Sequence, residues 1–143
     1  MNKIYESFGF LFAKASNQLQ EKILPFLSEY DLSYKQMGML LIIYENDGIT
    51  QKKAGDIQQT DRTTVTQIID YLEKCGYVLR IKNKNDRRSY GLSLTSTGND
   101  LVKEIFIEID KIQKEYFSKL SIEEVKLLRK IMITLTKGVI TNE

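Results

Sequence analysis

Four runs of apolar residues at three- and four-residue spacing come first, then alternate spacing after residue 76, then helical spacing again after residue 95. That order predicts a mainly α chain with a small β-wing. A tight connection joins the third and fourth runs, and a basic turn joins the two alternating stretches. Together they describe a winged helix-turn-helix lobe, flanked by long helices at both ends of the chain. A length of 143 residues suits one domain, 1–143, with the lobe at residues 32–97 and the end helices at residues 1–31 and 98–143.

Each element has its own signal. Across residues 3–29, Ile4, Phe8, Leu11, Phe12, Ala15, Leu19, Ile23, Phe26 and Leu27 form the stripe of one long amphipathic helix. Pro25 lacks an amide donor and is expected to bend or break it. Ser33-Tyr34-Lys35-Gln36 reads as a capping box opening a second helix through Met37, Leu40, Leu41 and Tyr44, closed by Gly48. Thr50 caps a short third helix, about Gln51 to Gln58, whose Gly55 makes it dependent on tertiary packing. Asp61 caps a fourth, with Val65, Ile68, Ile69 and Leu72 on its buried stripe and Gly76 as its left-handed exit.

Tyr77 to Lys82 and Tyr90 to Thr95 then read as a hairpin around Asn83-Lys84-Asn85-Asp86. A fifth helix is expected from Ser96 to about Leu120, and a second capping box, Ser121-Ile122-Glu123-Glu124, opens a sixth. The end helices carry more apolar positions than a small monomer covers: Phe8 and Phe12, Phe106 and Ile107, Phe117 and Leu120, Leu127 and Ile131. A contiguous patch of that kind marks an interface.

Composition removes whole classes of chemistry. There is no histidine, so a Ser-His or Cys-His pair and any imidazole metal site are excluded. One cysteine permits neither an internal disulfide nor a thiolate cluster. The acids lie along helix surfaces or beside caps rather than in a convergent set, so an enzyme is not expected, and no cofactor or metal is. The longest apolar stretch, Met37 to Tyr44, is far too short to span a membrane. Phe8 to Ala13, bracketed by Glu6 and Lys14, is too short for a signal peptide, and a cytoplasmic protein with no membrane partner is expected.

Net charge is +2, but residues 51–90 hold nine Lys/Arg against five acids, and the other 103 residues hold twelve against fourteen. The excess gathers between Arg80 and Tyr90. Such a stripe can attract a polyanion, although charge alone favours a lysine-rich solvated loop. On the fourth helix, the face opposite the buried stripe carries Thr63, Thr66, Gln67, Asp70 and Lys74. Threonine and glutamine suit base edges in a major groove, and they also suit an ordinary wet helix face.

Four motifs decide between these readings. Thr64-Val65-Thr66, Leu72-Glu73 with Gly76, Asp86-Arg87-Arg88, and Leu94-Thr95 with Gly98 follow one another within residues 61–98. In that order and spacing the chain resembles the MarR family of bacterial transcription regulators, over nearly its whole length by helix order. The resemblance implies a homodimer in which the first, fifth and sixth helices of two chains interleave. It implies a repressor of double-stranded DNA on a pseudo-palindromic operator, with half-sites about one helical turn (~34 Å) apart. Arg62, Thr63, Thr64, Thr66 and Gln67 are then the recognition-helix contacts. The wing contributes Lys82, Lys84, Asp86, Arg87 and Arg88, and the resemblance gives Arg88 the minor groove. Asp86 and Arg88, two apart on an extended chain, project to one side, so the carboxylate can orient the guanidinium. Thr50, Gln51 and Lys52, at the start of the third helix, are placed to meet the phosphate backbone.

Many relatives also bind an aromatic anion in a crevice between the dimer helices and the lobe. A small-molecule effector is therefore expected, with Phe8, Phe12, Tyr30, Tyr34, Met37 and Phe106 as candidate lining. Aromatic residues and methionine at helical spacing are more often plain core. Two features depart from the pattern. Ala54-Gly55 stands where relatives often carry Leu-Ala, which implies a thinner contact between the third and fourth helices. Some relatives sense oxidants with a cysteine near the start of the first helix. Residues 1–20 contain none here, so Cys75, at the far end of the fourth helix, reads as structural.

Overall fold

The computed structural model describes residues 2–82 and 90–140, the side chains of residues 138–140 apart. Six α-helices run in the expected order among these residues: α1 (Phe8–Glu29), α2 (Tyr34–Glu45), α3 (Gln51–Gln58), α4 (Arg62–Lys74), α5 (Ser96–Tyr116) and α6 (Ile122–Ile140). Strands β1 (Ile49–Thr50), β2 (Val78–Lys82) and β3 (Tyr90–Leu94) form an antiparallel sheet in the order β1-β3-β2.

Capping chemistry sets most boundaries. Both halves of the Ser33 box are made: its hydroxyl accepts from the Gln36 amide at 3.1 Å, and the Gln36 side chain accepts from the Ser33 amide at 2.9 Å. The Ser121 box repeats this with Glu124 at 3.1 and 2.9 Å. Gly48 and Gly76 adopt φ of 87° and 82°, the left-handed turns that end the second and fourth helices.

Four expectations need correction. The first helix does not begin at residue 3. Lys3–Glu6 is a 3-10 turn, and Ser7 starts α1 by accepting from the Phe10 amide at 3.2 Å. Pro25 does not break α1, which continues to Glu29. Pro25 and Glu21, whose carbonyl loses its helical partner, both lie on the exposed surface, where burial adds no penalty to the lost bond. The fifth helix ends at Tyr116 rather than near Leu120.

The hairpin, finally, is a three-stranded sheet. Ile49 pairs with Leu92 and Thr50 with Gly91, and the Gly48 amide donates to the Leu92 carbonyl at 2.8 Å. Gly91 permits this approach, because a Cβ there would stand 2.9 Å from the Gly48 carbonyl oxygen.

The core lies mainly in the lobe. Met39, Leu40, Ile69, Leu72, Val78 and Leu92 are wholly buried, joined by Leu27 from α1 and by Val102 and Ile105 from α5. Thr95 fastens the sheet to α5: its amide donates to the Tyr77 carbonyl and its hydroxyl to the Gly76 carbonyl at 2.6 Å, and it caps the Gly98 amide at 3.0 Å. A Cβ at Gly98 would overlap the Tyr77 carbonyl oxygen, which explains the Leu-Thr-x-x-Gly pattern at this junction. Polar contacts tie α1 to α5, Tyr30 to Glu104 and Lys22 to Glu115.

The end helices contrast with the lobe. No described residue of α6 is buried, and Ile122, Leu127 and Leu135 are 70%, 56% and 62% exposed. Phe8 at the start of α1 is 71% exposed and Ile107 on α5 is 57%.

Candidate nucleic-acid interface

Helices α3 and α4 meet through a connection of three residues. Gln59 turns the chain in the left-handed region (φ 57°), and Asp61 then caps α4. Its carboxylate accepts from the Thr64 hydroxyl at 2.6 Å and the Thr64 amide at 3.1 Å, which hold its pKa below the usual value, the hydroxyl bond foremost. The two helices approach closely at Gly55. A Cβ at Gly55 would stand 3.0 Å from the Val65 side chain and 3.2 Å from the Thr60 carbonyl oxygen. Glycine at this position brings α4 onto α3.

With Val65, Ile68, Ile69 and Leu72 buried, α4 turns Arg62, Thr63 and Gln67 to solvent, and Thr66 is half-buried beside them. Thr64 is committed to the cap. The Thr66 hydroxyl donates to the Arg62 carbonyl at 3.0 Å. Between α3, α4 and β3 lies a hollow of about 610 Å³, lined in part by Lys52, Asp56, Arg62, Thr66 and Tyr90. Cations, hydroxyls and the Asp56 carboxylate line it together with Val65, a surface that can take a base edge or, beside Lys52 and Arg62, a phosphate.

Arg80 organises this face, and charge reasoning misplaced it. Instead of joining the free basic stripe, its guanidinium donates to Asp70 at 2.6 Å and Glu73 at 2.9 Å on α4, and its Nε donates to the Gln51 Oε1 at 2.8 Å on α3. Three elements, α3, α4 and β2, are thereby held by one planar donor group. Asp70, read as part of the solvated face, is half of this ion pair. A signal was present: Asp70 and Glu73 are one turn apart on α4, and an arginine follows two residues into the next strand.

Among the other sequence candidates, Thr50 caps α3 by accepting from the Lys53 amide at 3.2 Å, and the Gln51 amide is engaged by Arg80 and Thr66. Lys52 and Lys82 are exposed. Lys84, Asp86, Arg87 and Arg88 lie outside the described residues. The aromatic set is dispersed within one chain. Phe8 and Phe12 stack with centroids 6.1 Å apart, and Phe106 packs edge-on against Tyr44 at 5.5 Å. The Tyr30 hydroxyl donates to Glu104, which raises its pKa, and Tyr34 is exposed. Met37, 3% exposed, belongs to the core cluster.

The MarR family model matches residues 32–90, most of the winged helix-turn-helix segment. The uncharacterized HTH-type transcriptional regulator YdcH of Bacillus subtilis is 33% identical over 114 residues, covering 77% of this chain and 78% of that protein. The organic hydroperoxide resistance transcriptional regulator of the same organism is 30% identical over 133 residues, covering 93% and 89%. The chain belongs to the MarR family of winged helix-turn-helix transcription regulators.

Solved structures carry the likeness into three dimensions. NadR in complex with 4-hydroxyphenylacetate superposes with a TM-score of 0.82 at 27% identity, covering 92% of this chain and 93% of that one. The Staphylococcus aureus MepR–DNA complex gives a TM-score of 0.78 at 24% identity, covering 92% and 98%, a likeness of fold. In MarR terms the lobe is the six-helix fold's winged unit, and Arg80 is the group that joins its helix pair to its wing.

Proposed function

We propose that this MarR-family chain is a repressor that binds a pseudo-palindromic operator in double-stranded DNA as a homodimer and is released by a small aromatic or anionic ligand. The observation that carries the reading is the exposed Arg62, Thr63 and Gln67 row on a helix whose other face is buried and whose position is pinned by Arg80. Such a helix can enter a major groove without rearranging. Lys52, Lys82, Lys84 and Arg87 are phosphate contacts, and Arg88, oriented by Asp86, serves the minor groove beside the recognition helix.

Pairing follows from the ends of the chain. Residues 1–31 and 98–143 are the dimerisation helices, and residues 32–97 the lobe that each copy presents to one half-site. Apolar side chains on α1, α5 and α6 stand in water in one chain, and a second copy is the surface that buries them. The ligand part draws on NadR, which is solved with an aromatic anion, and the crevice between two chains is where such a molecule would lodge.

Selection of bound sequences from a random duplex pool tests the whole reading. The expected product is a two-fold symmetric consensus whose affinity falls steeply with salt, as counterion release requires. An asymmetric product, or recovery no better than background, would reject it. Placing the selected site across a promoter in a purified transcription assay then tests repression, and 4-hydroxyphenylacetate in that assay tests release.

A further inference from the structure

The hydrogen bonds around Thr66 run in one direction only, and that direction has a consequence for the base it meets. Arginine has donors and no acceptor, so the atom of Gln51 facing the Arg80 Nε must be the carbonyl oxygen. The Gln51 NH₂ group is then the end that meets the Thr66 Oγ1, at 3.5 Å, and it can only donate. A hydroxyl that accepts from Gln51 must place its own proton elsewhere, and the Arg62 carbonyl receives it at 3.0 Å. The proton of Thr66 is spent, one lone pair is used, and one lone pair is left. Asp70 and Glu73 hold Arg80 from the other side, so the relay cannot reverse by turning the guanidinium away.

We infer that Thr66 is a specificity-determining acceptor, reading a base that offers an exocyclic amine in the major groove (adenine N6 or cytosine N4), and that Arg80 is the positioning residue that sets this polarity through Gln51. The inference rests on the DNA-binding reading above and adds to it the chemistry of one position in each half-site. Guanine, and thymine through its O4, present acceptors there and face the remaining lone pair of Thr66 with no proton between them.

The test uses the full chain and its selected operator, each base pair replaced in turn, with binding titrated for the natural protein, Thr66→Val, Gln51→Leu and Arg80→Met. Gln51→Leu breaks the relay and keeps the ion pairs of Arg80, so it decides the matter if Arg80→Met fails to fold by circular dichroism. At one position per half-site, purine in place of adenine, or pyrimidin-2-one in place of cytosine, should weaken the natural protein about fivefold, one hydrogen bond's worth. The same replacement should leave Thr66→Val unchanged. Gln51→Leu should bind that position with reduced preference for the amine while retaining its preferences elsewhere.

Two results would overturn the inference and leave DNA binding intact: a Thr66-dependent base pair whose affinity is unchanged when its exocyclic amine is removed, or no position altered by Thr66→Val. A natural chain that binds no duplex would remove the functional reading and this inference with it.

Discussion

The lobe and the end helices carry the same kind of apolar stripe and treat it differently. On α4, Val65, Ile68, Ile69 and Leu72 recur at three- and four-residue spacing and are all buried. On α6, Val125, Leu128, Met132 and Leu135 recur the same way, yet none is buried and Leu135 is 62% exposed. Periodicity announces a stripe; it does not say what covers it. In the lobe the cover is α2, α3 and the sheet of the same chain, whereas at the ends the proposal supplies a second copy.

Substitutions in the two regions therefore act on different equilibria. Ile69→Ala should cost about 3–4 kcal/mol of folding stability, the usual price of emptying a closed core site, read as a lowered denaturation midpoint. Leu127→Glu should leave the lobe's fold intact and abolish pairing at micromolar concentration, read by sedimentation. Equal loss of folding stability in both variants would erase the distinction between the regions.

Arg88→Ala should weaken operator binding by about 1–3 kcal/mol in a titration at moderate salt, sharpening the share of the wing against that of α4. Removing the α3 cap with Thr50→Ala should cost about 1 kcal/mol in thermal unfolding, since the Lys53 amide loses its acceptor.

The smallest effect concerns Asp61. Its pKa is lowered in the folded chain by the Thr64 hydroxyl and then the Thr64 amide. A lowered carboxyl stabilises the fold at pH above its unfolded value, and this contribution disappears as pH falls through the folded value. Asp61→Asn keeps a capping oxygen without the charge, so its stability should decline less than that of the natural chain on acidification, compared by unfolding curves from neutral pH downward.

Much of this molecule could be read before its coordinates, because its boundaries are set by short-range chemistry. The Ser33 and Ser121 boxes, the Thr50 and Asp61 caps, and the Gly48 and Gly76 exits each involve partners within a few residues, and each stands where the sequence put it. What escaped involves partners far along the chain. β1 is two residues long, too short for alternation to register, and exists only because Gly91 on a strand forty residues later admits the Gly48 carbonyl.

Arg80 was counted as free charge because its acceptors lie seven and ten residues back on another element, and Gln51 lies further still. The recognition face itself was half legible. Thr63, Gln67 and Arg62 are exposed as a helical wheel demands, while the engagement of Thr64 by its cap and of Thr66 by Arg62 and Gln51 required side-chain positions.

The central claim is that two copies of this chain, joined through their end helices, hold two recognition helices against one duplex. Sedimentation of the chain with a fluorescent selected duplex, repeated across a range of salt, tests it most directly. The account predicts two chains per duplex and an association constant that falls linearly in log–log form with a slope of several units. One chain per duplex, or an affinity indifferent to salt, would contradict it.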